Sequence, residues 1–183
     1  MESHIKIISG KYRGRKLAWP ESARPTSQRA KVALFNILSS IIKPGNLVVW
    51  DAFAGSGAFG AEFASRGWAS EIILTDSDAS AVKIISKNLQ DMDDSSTFTI
   101  LRAKMPDAAS KFAEKAGVIF LDPPYSDVGE LSDTIKMVAN YMNTNAILIV
   151  ESEAGTEHIA SDGLELIADR TYGRAQFHIY RKI

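Results

Sequence analysis

The chain has 183 residues, 45% of them hydrophobic and 23% charged, with a net charge of −1, a composition that excludes a disordered or low-complexity protein and fits one well-buried main domain. It contains no cysteine, which rules out disulfides, thiolate metal sites and cysteine nucleophiles, and His4, His158 and His178 are too scattered to suggest ligation, so no metal is expected. No apolar run approaches bilayer-spanning length and the N-terminus lacks the apolar core of a signal peptide, so a soluble, cytoplasmic protein with no membrane association is expected.

Residues 4–8 and 15–19 read as two short strands around the turn-rich Ser9-Gly10-Lys11-Tyr12-Arg13-Gly14, which predicts a basic hairpin. Charge is distributed unevenly along the chain: the first 31 residues hold eight of its 21 Lys and Arg but two of its 22 acids. A charge run is commonly only a solvated face, so the hairpin needs a second clue before it marks a polyanion site. After Pro20 and Pro25, Thr26 is the expected N-cap of a helix whose apolar face is Ala30, Ala33, Leu34, Ile37, Leu38 and Ile41, with Arg29 and Lys31 outside it. Pro44-Gly45 ends that helix.

From there strands and helices alternate as a parallel sheet requires. Strands are predicted over 47–51, 71–75, 97–101, 118–121 and 146–150, and helices over 58–66, 79–90, 107–116 and 131–142. Two further strands, 164–171 and 176–181, join at Tyr172-Gly173. The expected fold is α/β, a Rossmann-like sandwich with a seven-stranded, mostly parallel sheet, preceded by an N-terminal β-hairpin and helix. Residues 1–25 form the basic hairpin extension and 26–183 the main domain in this reading. Ligands of such sheets bind at the carboxyl ends of the strands.

The first of these parallel strands ends at Asp51 and turns through Phe53-Ala54-Gly55-Ser56-Gly57 to Gly60. Gly55, Gly57 and Gly60 let the backbone approach a nucleoside and pack closely on the next helix. Asp76 closes the second strand, where a carboxylate accepts both hydroxyls of an adenosine ribose. A nicotinamide-binding unit shares those features. Asp51 separates the two, because a carboxylate beside the glycines repels a pyrophosphate but suits the ammonium and sulfonium of S-adenosylmethionine, which carries no phosphate. Ser77 and Ala103 follow the ends of the second and third strands and complete the expected donor site.

The strand 118–121 ends in Asp122-Pro123-Pro124-Tyr125, at the same sheet edge as the glycine turn. The exocyclic amine of a base is a poor nucleophile because its lone pair is delocalised into the ring. Asp122 can accept one N–H and the Pro123 carbonyl the other, which lets the nitrogen pyramidalise. Successive prolines offer no backbone N–H, so this wall favours an amine over a keto oxygen. Tyr125 offers a face on which the base stacks. These are the expected catalytic residues.

With those motifs the sequence resembles class I methyltransferases, and more narrowly the RsmD family of 16S rRNA guanine-N2 methyltransferases. The resemblance rests on Gly10 to Leu17, Arg24-Pro25-Thr26, Leu34 to Leu38, Phe53 to Gly57, Glu62 with Ser65-Arg66-Gly67, Asn88-Leu89 and Asp122 to Tyr125. It implies S-adenosylmethionine as cofactor and 16S rRNA or the small ribosomal subunit as partner, with no obligate protein partner. It also implies an RNA-holding surface of Lys11, Arg13, Arg15, Lys16, Arg24 and Arg29, the second clue the basic hairpin required. The chain departs from the family pattern at Lys31-Val32, where Arg-Glu is common, at Asp76, where Glu is frequent, and at Arg102-Ala103-Lys104, which lacks an acid near the adenine. A DNA or other RNA amino-methyltransferase, a non-catalytic RNA-binding protein on the same fold and, third, a nicotinamide-dependent oxidoreductase are the rival readings.

Overall fold

The computed structural model describes residues 5–19, 26–92, 96–105, 107–124 and 128–183. Strands β1 (Ile5–Lys6) and β2 (Lys16–Leu17) pair antiparallel, Ile5 opposite Leu17, and form the expected hairpin in shortened form. Helix α1 (Gln28–Ile41) follows. A sheet of seven strands then builds up from β3 (Leu47–Asp51), β4 (Ala69–Asp76), β5 (Thr97–Arg102), β6 (Val118–Leu121), β7 (Ile147–Glu153), β8 (Leu164–Tyr172) and β9 (Ala175–Lys182). Its order is β5-β4-β3-β6-β7-β9-β8, parallel except for β9, which runs antiparallel to both its neighbours. Helices α2 (Ala58–Ser65), α3 (Ala79–Leu89), α4 (Ala109–Phe112) and α5 (Val128–Tyr141) connect the parallel strands. The order reverses between β3 and β6, and that switch point is where an open α/β sheet holds its ligand.

Alternation along the strands sends successive side chains to opposite faces and makes two cores. Val49, Ile72, Leu74, Phe120 and Ile149 face the layer that holds the hairpin, α1, α2 and α3, while Trp50, Ile73, Ile119, Leu121 and Val150 face α4 and α5. Ile5, Ile7 and Leu17 are buried in the first of these cores, so the hairpin is fastened to the sheet's helical layer by its apolar side. Among the described residues no helix is long and apolar enough to cross a membrane.

Three local expectations change. Ser27, not Thr26, caps α1: its side chain accepts from the Ala30 N–H at 3.1 Å, and Thr26 turns toward β7 instead. Lys31 is buried on the α1 face that also carries Leu34, Phe35 and Leu38, within the field of the carboxylates of Glu62 and Glu151. The helix expected over 107–116 is regular only from Ala109 to Phe112, as hydrogen bonds from Lys111 to Ala108 and from Lys115 to Phe112 tighten the turn at either end.

Candidate active site

A cleft of about 760 Å³ opens at the carboxyl ends of β3, β4, β5, β6 and β7. Of the residues expected to hold the methyl donor, Asp51, Phe53, Gly55, Asp76, Ser77 and Ala103 line it. Gly57 and Gly60 lie behind the wall. Gly57 caps α2 with a left-handed φ of 74°, and a Cβ on Gly60 would come within 2.9 Å of both Ile72 and Leu74, so Gly60 is what lets α2 lie close on β4.

Asp51 ends β3 with only 1% of its surface exposed, and its Oδ2 accepts a long hydrogen bond of 3.4 Å from the Gly60 N–H. Burial, with the charges of Asp122 and Asp76 nearby, pushes its carboxyl up to about 8. Such a group lacks a positive partner, and an ammonium or sulfonium would supply one. Asp76 accepts from the Gly55 N–H at 2.9 Å through Oδ2 and from the Asp78 N–H at 2.9 Å through Oδ1. Each carboxylate oxygen retains a lone pair for a further donor, as a ribose diol requires. The Ala103 N–H donates to the Asp76 carbonyl at 3.0 Å and so ties the loop after β5 to this wall. The donor set and the cavity therefore fit S-adenosylmethionine.

Asp122, Pro123 and Pro124 line the same cleft beyond the end of β6, beside the Asp51 wall. Asp122 keeps part of its surface open, yet the enclosing protein pushes its carboxyl up to about 7. Phe59 and Phe120, stacked with ring centroids 4.0 Å apart, also line the cleft. Tyr125, and Arg24 of the expected RNA surface, lie outside the described residues.

Further polar side chains line this cleft without having been expected in the site, among them Thr26, Lys31 and Glu151. The Thr26 hydroxyl lies 2.9 Å and 3.0 Å from the two carboxyl oxygens of Glu151. Burial depresses Lys31, opposed by the charges of Glu62 and Glu151. Val32 is 39% exposed, so the acid common in the family at that position would face outward, away from these groups. Glu151 directly follows the apolar run 146–150, and the strand-end rule that singled out Asp51, Asp76 and Asp122 applies to it equally.

The hairpin borders the cleft through Ile5 and Trp19 and is pinned to α2. Buried Glu62 accepts from the Ile8 and Ser9 N–H groups at 2.7 Å and 3.0 Å and from Arg66 Nε at 2.8 Å. Ser65 donates its hydroxyl to the Ser9 carbonyl and accepts from the Tyr12 N–H, at 2.6 Å and 2.9 Å. Asn88 joins Ala18 to the Ser56 carbonyl of the glycine turn. Lys11, Arg13, Lys16 and Arg29 are exposed. Arg15 is placed differently: its guanidinium donates to the Asn88 and Asp91 carbonyls, at 3.1 Å and 3.2 Å, and closes the end of α3.

A doubly wound sheet of this order, with an unpaired buried carboxylate at the glycine turn and Asp-Pro-Pro beside it, defines a class I methyltransferase. Residues 5–181 match the family described as conserved hypothetical protein 95, and the chain belongs to that family, the RsmD methyltransferases. It is 32% identical to ribosomal RNA small subunit methyltransferase D of Escherichia coli K12 over 97% of this chain and 90% of that one. Identity to the protein of the same name from Haemophilus influenzae is 30%, covering 98% and 95% of the two chains. The solved structure of the putative methyltransferase yhhF from Escherichia coli superposes with a TM-score of 0.80 at 30% identity and covers 98% of each chain.

Proposed function

We propose that this protein transfers a methyl group from S-adenosylmethionine to the exocyclic N2 of a guanine in 16S rRNA, acting in the cytoplasm on the small-subunit RNA or the subunit itself. The observation that carries this reading is the meeting of Asp51 and Asp122 in one cleft, a cation site beside an amine site. The names of the relatives supply the RNA class. S-adenosylmethionine supplies an electrophilic methyl group when bound. Asp51 holds its positive charge, and Asp76 and the loop at Ala103 fix the nucleoside.

Asp122 accepts one N–H of the amine and the Pro123 carbonyl the other, so the nitrogen lone pair turns toward the methyl carbon while Tyr125 offers the base a stacking face. The N–C bond would form as the methyl's bond to sulfur breaks, with S-adenosylhomocysteine as the leaving group, and the nitrogen sheds a proton to the Asp122 carboxylate. A carboxyl near 7 can take that proton at neutral pH and release it through the open side of the cleft. Positioning supplies most of the acceleration. Lys11, Arg13, Lys16, Arg24 and Arg29 hold RNA phosphates, and the target base reaches the cleft unstacked.

The test is transfer of labelled methyl to unmodified 16S rRNA, assembled small subunits and duplex DNA in parallel, with nucleoside analysis of the product. N2-methylguanosine in either RNA sample is the expected result. Label in DNA alone would overturn the substrate, and label in none the activity.

A further inference from the structure

Glu151 is left without a task by the reaction above, although it lines the cleft and is only 2% exposed. β6 and β7 are parallel with Leu121 opposite Val150, so Asp122, just past the end of β6, and Glu151, inside β7 two residues before its end, stand next to each other where the β6–β7 pairing stops. Neighbouring strands are about 4.8 Å apart, which sets the spacing of the two carboxyl-bearing positions. Thr26 reaches Glu151 from a segment 125 positions away in sequence and touches both its oxygens. Packing alone does not call for such a group, because an apolar side chain would fill the space without the cost of burying a carboxyl.

We infer that Glu151, held by Thr26, reads the N1 position of the target base and so makes this cleft specific for guanine; this rests on the amine site proposed above. Along one edge of guanine the 2-amino group, the N1–H and O6 follow in a row. With the amine at Asp122 and Pro123, the next group along that edge meets the neighbouring strand β7, where Glu151 accepts the N1–H. Adenine N1 and cytosine N3 carry a lone pair there and no hydrogen. The Asp-Pro-Pro wall recognises an amine on any base, and Glu151 adds the distinction between bases. Burial, and the Asp122 charge beside it, push the Glu151 carboxyl up to about 9, against the pull of Thr26 and Lys31. A carboxyl that keeps its proton accepts N1–H on one oxygen and donates to O6 from the other, which leaves both amine hydrogens to Asp122 and Pro123.

The experiment uses rRNA, or subunits reconstituted from it, carrying guanosine or 1-methylguanosine at the nucleotide located by the labelling test. The N1 methyl removes the hydrogen and occupies its partner's place. Wild-type enzyme is expected to prefer guanosine by at least about 100-fold in kcat/KM, since a site built around a hydrogen bond rejects the analogue that lacks it. Glu151→Ala should lose activity on guanosine and, with space for the methyl, bring the ratio near unity. Glu151→Gln offers one acceptor and one donor and should stay within roughly tenfold of wild type on guanosine.

Thr26→Val preserves shape and removes the clamp, so it should narrow the ratio even if Glu151→Ala does not fold. Binding of S-adenosylhomocysteine reports an intact donor site in every variant. An unchanged ratio in Glu151→Ala and Thr26→Val, with guanosine methylated by wild type, would overturn the role of Glu151 and leave the proposed function standing. Failure of wild type to label guanosine would remove that function and this inference with it.

Discussion

Asp51 ends β3, Asp122 directly follows β6 and Glu151 lies two residues before the end of β7, on three adjacent strands, and all three carboxyls are pushed upward by burial. Because their folded values, about 8, 7 and 9, exceed those of the unfolded chain, the folded protein binds more protons than the unfolded one between pH 4 and pH 9. Their contribution is therefore fully present below about pH 4 and is lost as pH rises through the folded values. In the unliganded protein this term lowers Tm between pH 6 and pH 9, and Asp51→Asn should make the fall shallower. S-adenosylmethionine should do the same by favouring ionised Asp51; melting scans across that range check both, and an unaltered slope with ligand would remove Asp51 as the partner of the cation. Asp122→Asn keeps the shape of the side chain but neither accepts the proton nor carries the charge. Turnover should fall by roughly 100-fold or more, with S-adenosylhomocysteine affinity little changed. Equal losses in both would move Asp122 to the donor site. Asp51, Asp76 and Asp122 were legible in the sequence because each directly follows a short apolar strand. Thr26 and Lys31 were not, because what gives them meaning is the hydrogen bond of Thr26 to Glu151 and the charge of Glu151 acting on Lys31, which only the folded chain brings about.

At the scale of elements, the hairpin shows how a short, basic extension is held. Gly10 has a φ of 81°, and a Cβ there would lie 1.8 Å from the Ser65 carbonyl oxygen, the acceptor of the Lys11 N–H. Gly10→Ala is thus strained both by its backbone and by a clash with another backbone, and the turn must lift off α2. The expected outcome is a lowered Tm together with rapid tryptic cleavage at Lys11 and Arg13, by a destabilisation of roughly 2 kcal/mol or more. Wild-type protection from trypsin would show that the turn can shift without undocking. The same contacts explain which family residues the sequence could name but not interpret: Glu62, Ser65 and Asn88 all fasten the hairpin to the fold. Strand positions were readable from apolar runs, whereas the true N-cap of α1 and the short α4 depended on which neighbouring groups compete for the same hydrogen bonds.

Across the whole molecule, a net charge of −1 conceals a basic hairpin, which borders the cleft through Ile5 and Trp19 while its turn is held on the end of α2 by Ser65. The hairpin's cations nevertheless divide into two kinds. Arg15 spends its guanidinium on the end of α3, so Arg15→Ala should lower Tm more than it weakens RNA binding. Arg13 and Lys16 are exposed on the turn and on β2, and in the proposed function they meet phosphates. Each single-stranded RNA phosphate contact releases counterion and contributes about 0.7 to the slope of log affinity against log salt. Neutralising Arg13 and Lys16 together should therefore flatten that slope by roughly 1 to 1.5 while leaving Tm and S-adenosylhomocysteine binding near wild type. Filter binding of 16S rRNA over a salt series measures it. An unchanged slope would take the hairpin out of the RNA surface and leave Arg29 on α1 as the described cation nearest to Thr26 in the chain, shifting the RNA path from the turn to the start of that helix.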